Sequence, residues 1–268
     1  MSLAYRQFVT ARADIGVIGG TGLYALLDDG EYVRMSTPYG DPSGRITLHT
    51  FGDWRVAFLA RHGERHEYPP HHVPYRANVW ALAHLGVTRI LAPCAVGSLR
   101  ADITPGSVVV PDQLIDRTQG RSSTFHDDKA VHISFADPYC AELRAAAALQ
   151  ASFSELSSRD GGTVVVIQGP RFSTRAEAEM HRRLGGDVVN MTALPEAALA
   201  REIGCCYCNL AVVTDWDAGV GSEQAVTQAQ VMSRFADALT AVRGIVRRTI
   251  EDLPARASCR CSQQPQPV

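Results

Sequence analysis

The sequence predicts an α/β fold, a single domain with a mixed central β-sheet flanked by helices. Apolar runs of strand length alternate along the chain with amphipathic segments of helix length, which is typical of a sheet covered by helices. Apolar residues make up 46% of the 268 residues, enough for one substantial core. Because no Ser-, Gly- or Pro-rich linker divides the chain, we expect one domain over residues 14–250 after an N-terminal extension, residues 1–13.

The strands are predicted from short runs rich in Val, Ile, Leu and Ala, several of them nearly continuous, as in strands buried on both faces. In chain order these runs are residues 15–18, 56–60, 89–92, 107–110, 163–167, 188–189 and 207–213. Helical spacing of apolar residues predicts helices over residues 74–85, 139–150, 175–184, 194–203 and 223–251. Residues 117–137 are charged and contain histidines, which indicates a surface loop, and the Gln-, Pro- and Ser-rich residues 254–268 are expected to be disordered.

Composition argues against several classes of function. The formal charge of −2 disfavours a nucleic-acid or membrane-surface partner. No apolar run approaches the length of a membrane span, and residues 1–13 lack the apolar segment of a signal peptide. Most of the seven cysteines lie in apolar stretches, as reduced thiols do, so we expect a cytoplasmic protein. Cys259-Arg260-Cys261 matches a metal or redox motif only weakly, and an incidental pair in the tail is the favoured interpretation.

A glycine-rich segment, residues 16–22, follows the first predicted strand. A dinucleotide fingerprint would look similar, but it needs an acidic residue about 20 residues further on, at the end of a second strand. Asp41 lies near that distance within a turn-rich stretch, and Asp28-Asp29-Gly30 breaks the helix that should precede it. An NAD-binding oxidoreductase is therefore disfavoured. Two alternatives are left, a purely structural turn and a loop whose backbone approaches an anion with Thr21 as a neutral donor.

Arg61 and His62 follow the second predicted strand, at the edge of the sheet where ligands bind. The histidines around them suggest a metal, but Gly63 disfavours a helix and no cysteine or carboxylate completes a zinc set, so we expect no metal. Arg61 offers a planar fork to an oxyanion. Thr192 follows another strand and adds a hydroxyl. Together with the glycine-rich segment, these residues predict a pocket for one phosphate-sized anion.

Gly169-Pro170 ends the strand predicted over residues 163–167. Thr174 is suited to cap the helix that follows, with Glu177 at capping-box spacing. Phe172 is then left just ahead of the helix, where it can face the pocket and stack on a planar ligand.

Asp215 and Asp217 close the last predicted strand. Residues two apart on a strand project to the same side. Either the pair belongs to an ordinary turn, or it forms a buried acid pair in which like charges raise one pKa and keep a proton available near neutrality.

Six segments, in this order, resemble the methylthioadenosine phosphorylases, a branch of the purine nucleoside phosphorylase family. They are Ile18-Gly19-Gly20-Thr21-Gly22-Leu23, Ala60-Arg61-His62-Gly63, Ala95-Val96-Gly97-Ser98-Leu99, Gln168-Gly169-Pro170-Arg171-Phe172-Ser173, Asn190-Met191-Thr192 and Thr214-Asp215-Trp216-Asp217. The resemblance extends from about residue 14 to about residue 250. It implies the nucleoside phosphorylase fold and a homo-oligomer, trimer or hexamer. It also implies a purine nucleoside as substrate, with inorganic phosphate as co-substrate and no organic cofactor or metal.

The resemblance also implies roles for individual residues. The phosphate-binding residues would be Thr21, Arg61, His62, Cys94, Ala95 and Thr192. The nucleoside-binding residues would be Phe172, Ser173, Met191, Asp215, Trp216, Asp217, Gln228 and Val231, with His132 reaching into a neighbouring subunit's pocket. Asp215 and Asp217 would be catalytic, Asp215 facing N7 of the base and Asp217 lying near its 6-amino group. Cys94 and Gln228 stand where the animal members have a threonine and an apolar residue.

We therefore expect phosphorolysis of S-methyl-5'-thioadenosine to adenine and 5-methylthioribose 1-phosphate, a salvage reaction. The alternative is a phosphorylase for 6-oxopurine nucleosides such as inosine or methylthioinosine. The carboxylate pair favours a 6-amino group, since 6-oxopurine sites usually place an amide there. A non-catalytic nucleoside-binding protein would not need Arg61, His62 and two threonines to converge on one anion.

Overall fold

A mixed β-sheet built around two long strands organises the chain, of which the computed structural model describes residues 11–20, 30–220 and 226–263. The strands are β1 (Ile15–Gly19), β2 (Glu31–Val33), β3 (Ile46–Phe51), β4 (Trp54–Ala60), β5 (Arg89–Ser98), β6 (Val108–Val110), β7 (Gln113–Arg117), β8 (Ser158–Asp160), β9 (Thr163–Ile167), β10 (Val188–Asn190) and β11 (Cys206–Trp216). The helices are α1 (Tyr75–His84), α2 (Ala141–Ser152), α3 (Arg175–Arg183), α4 (Ala193–Glu202) and α5 (Gln228–Glu251). No helix in these ranges is long and apolar enough to cross a membrane.

β5 is the central strand, and it changes partners along its length. Its first residues pair in parallel with β1, whereas Gly97 and Ser98 pair antiparallel with β10. β11 accompanies β5 from end to end. Residues 92–96 of β5 therefore lie between the ends of β1 and β10, and a cavity forms at this opening in the sheet.

Helices cover both faces of the sheet, as the alternating apolar runs predict. On one face α1 packs against α4, and on the other α2 packs against α5. Leu82 of α1 and Ile90 of β5 belong to the first core, and Leu143 of α2 and Ile245 of α5 belong to the second. Each such side chain is almost completely buried, and its removal from water contributes roughly 1.5–3 kcal/mol to folding. The two cores hold the strand ends rigidly around the cavity.

Every strand and helix predicted from the sequence is present, and the predicted fold class is confirmed. The structure adds β2, β3, β7 and β8, which the sequence analysis missed. These strands are short or lie near the edges of the sheet, so they lack the continuous apolar runs used for prediction. β5 and β11 also run further than expected, to Ser98 and Trp216, and α5 begins at Gln228.

Two segments differ from expectation. Of the predicted surface loop, Arg117 ends β7, and Phe125 is buried beneath the irregular residues that follow. Residues 254–263, expected to be disordered, instead pack against the domain, with Cys261 buried in the second core. The backbone N–H groups of Ser258 and Cys259 donate to the carboxylate of Glu142, so a few specific contacts outweigh the polar composition of this segment.

Candidate active site

Segments that follow β1, β4, β9, β10 and β11 meet with the middle of β5 and the start of α5 around a cavity of about 410 Å³. Most of the residues proposed from the sequence line this cavity, namely Arg61, His62, Cys94, Ala95, Phe172, Ser173, Met191, Thr192, Asp215, Asp217, Gln228 and Val231. Gly20 reaches the cavity from the glycine-rich segment, while Thr21 lies outside the described residues. The structure thus brings together residues that are far apart in sequence.

Arg61 lies at one end of the cavity and is fully buried, as is its partner Glu196 in the first turn of α4. Its Nε and Nη2 donate to the two carboxylate oxygens of Glu196, at 2.5 and 3.0 Å. Nη1 and Nη2 also donate to the carbonyl oxygens of Pro93 and Ile18, at 3.1 and 2.9 Å. These bonds use four of the five N–H groups of a guanidinium, and one N–H on Nη1 is left for a ligand.

The fork of Arg61, expected to face an anion, is therefore engaged by Glu196 instead. Burial opposes the charge of Arg61, but the carboxylate of Glu196 more than compensates and holds the arginine pKa above its usual value. The hydroxyl of Tyr207 donates to the same carboxylate at 2.8 Å. Because this pair is electrically neutral overall, an anion at this end would be bound mainly by hydrogen bonds and local dipoles.

His62 is a neutral side chain in this setting. Burial, reinforced by the charge of Arg61, lowers its pKa to about 4. Its Nδ1 lies 2.8 Å from the carbonyl oxygen of Tyr68, and since a carbonyl only accepts, we assign the proton to Nδ1. Nε2 then carries a lone pair, so His62 can accept a hydrogen bond from a protonated ligand oxygen.

Thr192 and Cys94 supply the neutral polar atoms at this end. Thr192 is the N-cap of α4, but its hydroxyl makes no capping bond and stays available to a ligand. Leu194, two residues further on, has a non-helical backbone (φ −118°, ψ 134°), so the regular helix begins only after it. Burial raises the pKa of Cys94, whose Sγ accepts from the amides of Asn190 and Asn209 at 3.4 and 3.3 Å. Cys94 is thus a neutral thiol.

Asp215 and Asp217 form the opposite end of the cavity. The pairing of β11 with β5 slips between Val213 and Asp215, so Thr214 is an extra residue in a bulge. Bulges redirect the side chains that follow them. The neighbouring Gly97 has no side chain, and a Cβ there would approach Asp215 Oδ1 to 2.9 Å. The bulge and this glycine together make room for two carboxylates on one wall.

This end of the cavity favours protonated carboxyl groups. Burial, with a smaller contribution from the charge of Asp217, raises the pKa of Asp215 to about 6, while a hydrogen bond from Thr214 opposes the rise. Burial likewise raises the pKa of Asp217. The nearby hydroxyl of Ser173 opposes this rise, but within the described part of the chain neither Ser173 Oγ nor Asp217 Oδ2 makes a hydrogen bond of good geometry. Such atoms are costly unless a ligand satisfies them.

Met191 and Phe172 line the cavity between its two ends. Gly169 allows the close approach of Met191, because a Cβ there would lie 2.5 Å from the methionine sulfur. Arg121 supports the same wall from behind, donating to the carbonyl oxygens of Met191 and Gln168 at 2.8 and 2.6 Å. An apolar floor held by a half-buried guanidinium suits a flat ligand with a less polar edge.

The start of α5 forms the outer rim with Gln228, Val231, Met232 and Phe235. Met232 is 37% exposed although its side chain is apolar.

Two further residues proposed from the sequence do not line the cavity of this chain. Trp216 lies between Asp215 and Asp217 in sequence but is absent from the lining of the cavity, so its contact with substrate stays a prediction. His132 is exposed on the segment after β7.

Two residues that position the site were missed by the sequence analysis. Glu196 stands in an otherwise apolar stretch, Ala193–Ala200, and a lone carboxylate among so many small apolar residues is a usable sign of a buried ion pair. Arg121 was assigned to a solvated loop because of its charged neighbours. No local pattern marks its contact with residues about 50 and 70 positions away.

The fold and the site together define a class of protein. An open α/β sheet presents a cavity with an anion-compatible end, an apolar middle and an acid pair, which suits a molecule of nucleoside size together with a small anion. A family profile described as the phosphorylase superfamily matches residues 14–251. The chain belongs to the phosphorylase superfamily, so the resemblance inferred from the motifs is confirmed.

The chain is similar to several named relatives and solved structures of this superfamily. It is 51% identical over 246 residues to the S-methyl-5'-thioadenosine phosphorylase of Mycolicibacterium smegmatis, covering 91% of this chain and 93% of the relative. It is 48% identical over 259 residues to a purine nucleoside phosphorylase of Streptomyces coelicolor, covering 93% and 92%. The methylthioadenosine phosphorylase of Schistosoma mansoni in complex with adenine superposes with a TM-score of 0.85 at 36% identity, covering 89% and 91%.

Proposed function

We propose that this protein is a pentosyltransferase that cleaves S-methyl-5'-thioadenosine with inorganic phosphate, giving adenine and 5-methylthioribose 1-phosphate. The observation that carries the proposal is one cavity that joins the Arg61 end to the Asp215 and Asp217 end. Membership of the phosphorylase superfamily and the names of the relatives support it. Phosphate would occupy the first end, the purine the second, and the ribose the apolar floor at Met191.

The acid pair supports departure of the base. Cleavage of the bond between C1' and N9 leaves negative charge on the purine, and that charge must be neutralised in the transition state. Asp215, with a pKa of about 6, can deliver its proton to N7 as the bond breaks. The bond electrons pass to the purine, a phosphate oxygen forms the new bond to C1', and adenine leaves neutral. The carboxylate of Asp217 would accept from the 6-amino group.

The other end supports a phosphate co-substrate. One N–H of Arg61 and the hydroxyl of Thr192 can donate to phosphate oxygens. Nε2 of His62 can accept a hydrogen bond from the hydroxyl of a monoprotonated phosphate, which a cationic histidine could not do. Every step of this scheme uses side chains and phosphate, so we propose that the reaction needs no cofactor.

A second substrate class has its own support. The Streptomyces coelicolor relative carries the broader name purine nucleoside phosphorylase at nearly the same identity. Burial raises the pKa of Asp217, and a protonated Asp217 could donate to a 6-oxo group. The alternative substrate is therefore a 6-oxopurine nucleoside such as inosine.

We also propose that the active site is completed by a neighbouring subunit of a homotrimer or hexamer. The rim at Val231 and Met232 leaves apolar surface open to solvent beside the cavity, whereas an apolar 5'-substituent needs a closed wall. His132 lies on an exposed segment and would reach that neighbour. Light scattering with parallel activity assays tests this, and a fully active monomer would refute it. The free cysteines support a cytoplasmic location.

The experiment that tests the function is a substrate panel with and without phosphate. Methylthioadenosine, adenosine, methylthioinosine and inosine are incubated with the enzyme, and release of adenine or hypoxanthine is followed. We expect phosphate-dependent release of adenine from methylthioadenosine at the highest kcat/KM. Equal cleavage without phosphate would identify a hydrolase, and faster release of hypoxanthine would favour the 6-oxopurine alternative.

A further inference from the structure

Four cysteines from three separate parts of the chain meet at the end of β11 that is remote from the cavity. Cys140 precedes α2, Cys206 begins β11, and Cys259 and Cys261 belong to the C-terminal segment. Their Sγ atoms all lie within 4.8 Å of one another, and they are free thiols. We call these residues the four-thiol cluster. The reaction proposed above makes no use of them.

The spacing of the four sulfur atoms fits a single tetrahedral metal ion. Zinc binds thiolates at about 2.3 Å, which places four tetrahedral ligands about 3.8 Å apart. The Sγ atoms of Cys206 and Cys259 are 3.3 Å apart, longer than the roughly 2.05 Å of a disulfide bond. Shifts of a few tenths of an ångström to about 1 Å would bring all four to metal-binding distance. A set of four soft thiolates, three of them buried and that of Cys259 partly exposed, favours zinc among the common divalent ions.

The surroundings of the four-thiol cluster favour thiolates. Cys140 occupies the N-cap of α2, where the helix dipole stabilises negative charge. Nη1 of Arg201 lies 3.4 Å from the Sγ of Cys261, so it offsets part of the net negative charge that four thiolates leave on a zinc ion. The carboxylate of Glu142 accepts from the backbone N–H of Cys259 at 3.1 Å, which fixes the C-x-C segment before any metal binds.

We propose that the four-thiol cluster binds one zinc ion, which fastens the C-terminal segment to the start of α2 and of β11. Binding forms four Zn–S bonds and releases the thiol protons to solvent, with no change of oxidation state. The site is structural, because Cys206 and Asp215 are separated by about 30 Å along one strand. The Cys259 and Cys261 pair is thus part of a site and not an incidental feature of the tail.

The test uses the full chain, purified without chelators and after removal of any metal-binding affinity tag. Elemental analysis should give one zinc per chain. Replacement of zinc by cobalt should produce the thiolate charge-transfer and visible bands of a tetrahedral centre. Chelation should lower the Tm by at least about 5 °C, and added zinc, but not magnesium, should restore it. Activity measured well below the Tm should be unchanged.

Matched variants separate this site from a general need for buried cysteines. Replacing both C-x-C cysteines (C259S with C261S) should abolish zinc binding and the response to chelator. The control Cys205→Ser changes an adjacent buried thiol that bonds the carbonyl of Val87 and lies outside the cluster, and it should keep one zinc. If the double variant does not fold, protection of four thiols from alkylation by zinc in the unmodified protein decides the question. Substoichiometric zinc after reconstitution, or a mass showing disulfides among these cysteines, would overturn the proposal.

Discussion

Replacing Glu196 by glutamine tests the role of the buried ion pair most directly. The change keeps the size of the side chain and one acceptor for Arg61, but it removes the charge that neutralises the guanidinium. Breaking a buried pair from one side costs about 3–5 kcal/mol, and the retained hydrogen bond should reduce this to roughly 2–3 kcal/mol. For a domain of this size we expect the Tm without phosphate to fall by about 5–10 °C.

Phosphate should reverse much of this loss. In the Glu196→Gln variant the charge of Arg61 is no longer compensated by a carboxylate. Phosphate bound at the anion end would then neutralise that charge in place of Glu196. We expect apparent phosphate affinity to rise at least about tenfold, or roughly 1.4 kcal/mol. The Tm gap between variant and unmodified protein should narrow accordingly as phosphate is added.

The assay is thermal unfolding over a phosphate titration, with sulfate and chloride series for comparison. Glu202→Gln is the matched control, because Glu202 ends the same helix and accepts from Thr124 and the N–H of Phe125, away from the cavity. It should change the Tm without changing the response to phosphate. If the Tm of the Glu196→Gln variant and that of the unmodified protein depend on phosphate in the same way, the inference that Glu196 neutralises the charge that Arg61 would offer to phosphate is wrong.

Three further predictions concern the base end. Asp215→Asn should shift the ratio of kcat/KM for methylthioadenosine over inosine by at least about tenfold toward inosine, and an unchanged ratio would mean that the base is recognised elsewhere. Because the folded pKa of Asp215 is raised to about 6, its contribution to stability is present in full at low pH and lost as the pH rises through about 6. Asp215→Asn should therefore stabilise the protein at pH 8, by up to roughly 3 kcal/mol, and the gain should disappear by about pH 4; a Tm difference that does not vary with pH would contradict this. Gly97→Ala should push the Asp215 carboxylate aside and lower kcat/KM about 100-fold while the Tm response to phosphate is kept, whereas Gly44→Ala, where a Cβ meets only ordinary contacts, should change neither.

The parts of the fold that the sequence predicts well are those decided by local patterns. The capping box at Thr174 and Glu177 is present as predicted, since its residues are neighbours and satisfy each other's backbone. The continuous apolar runs of β5 and β11 were found for a similar reason. The hairpin of β3 and β4 was half missed because β3 mixes polar and apolar residues, although the Gly52-Asp53 turn between the two strands marks it.

For the candidate site too, the features set by local sequence could be predicted and those set by long-range packing could not. That Arg61, Thr192 and Asp215 reach one cavity could be anticipated, because strand ends meet at one edge of a sheet. The partner of Arg61 could not be anticipated. Whether its guanidinium binds an anion or Glu196 depends on the packing of a residue 135 positions away along the chain. The pairing of Cys259 and Cys261 with Cys140 and Cys206 is likewise invisible until the chain is folded.

Arg121 makes residues 118–140 a part of the pocket wall. Its guanidinium caps the carbonyl oxygens at the ends of two strands and at the start of α4, through Gln168, Met191 and Leu194. Shortening this segment would remove the hydrogen-bond donor of all three carbonyl oxygens at once. The length of residues 118–140 is therefore constrained by residues that are distant from it in sequence. Exchanging residues 118–140 between relatives would accordingly change the support of the apolar floor at Met191 as well as the exposed surface of the segment.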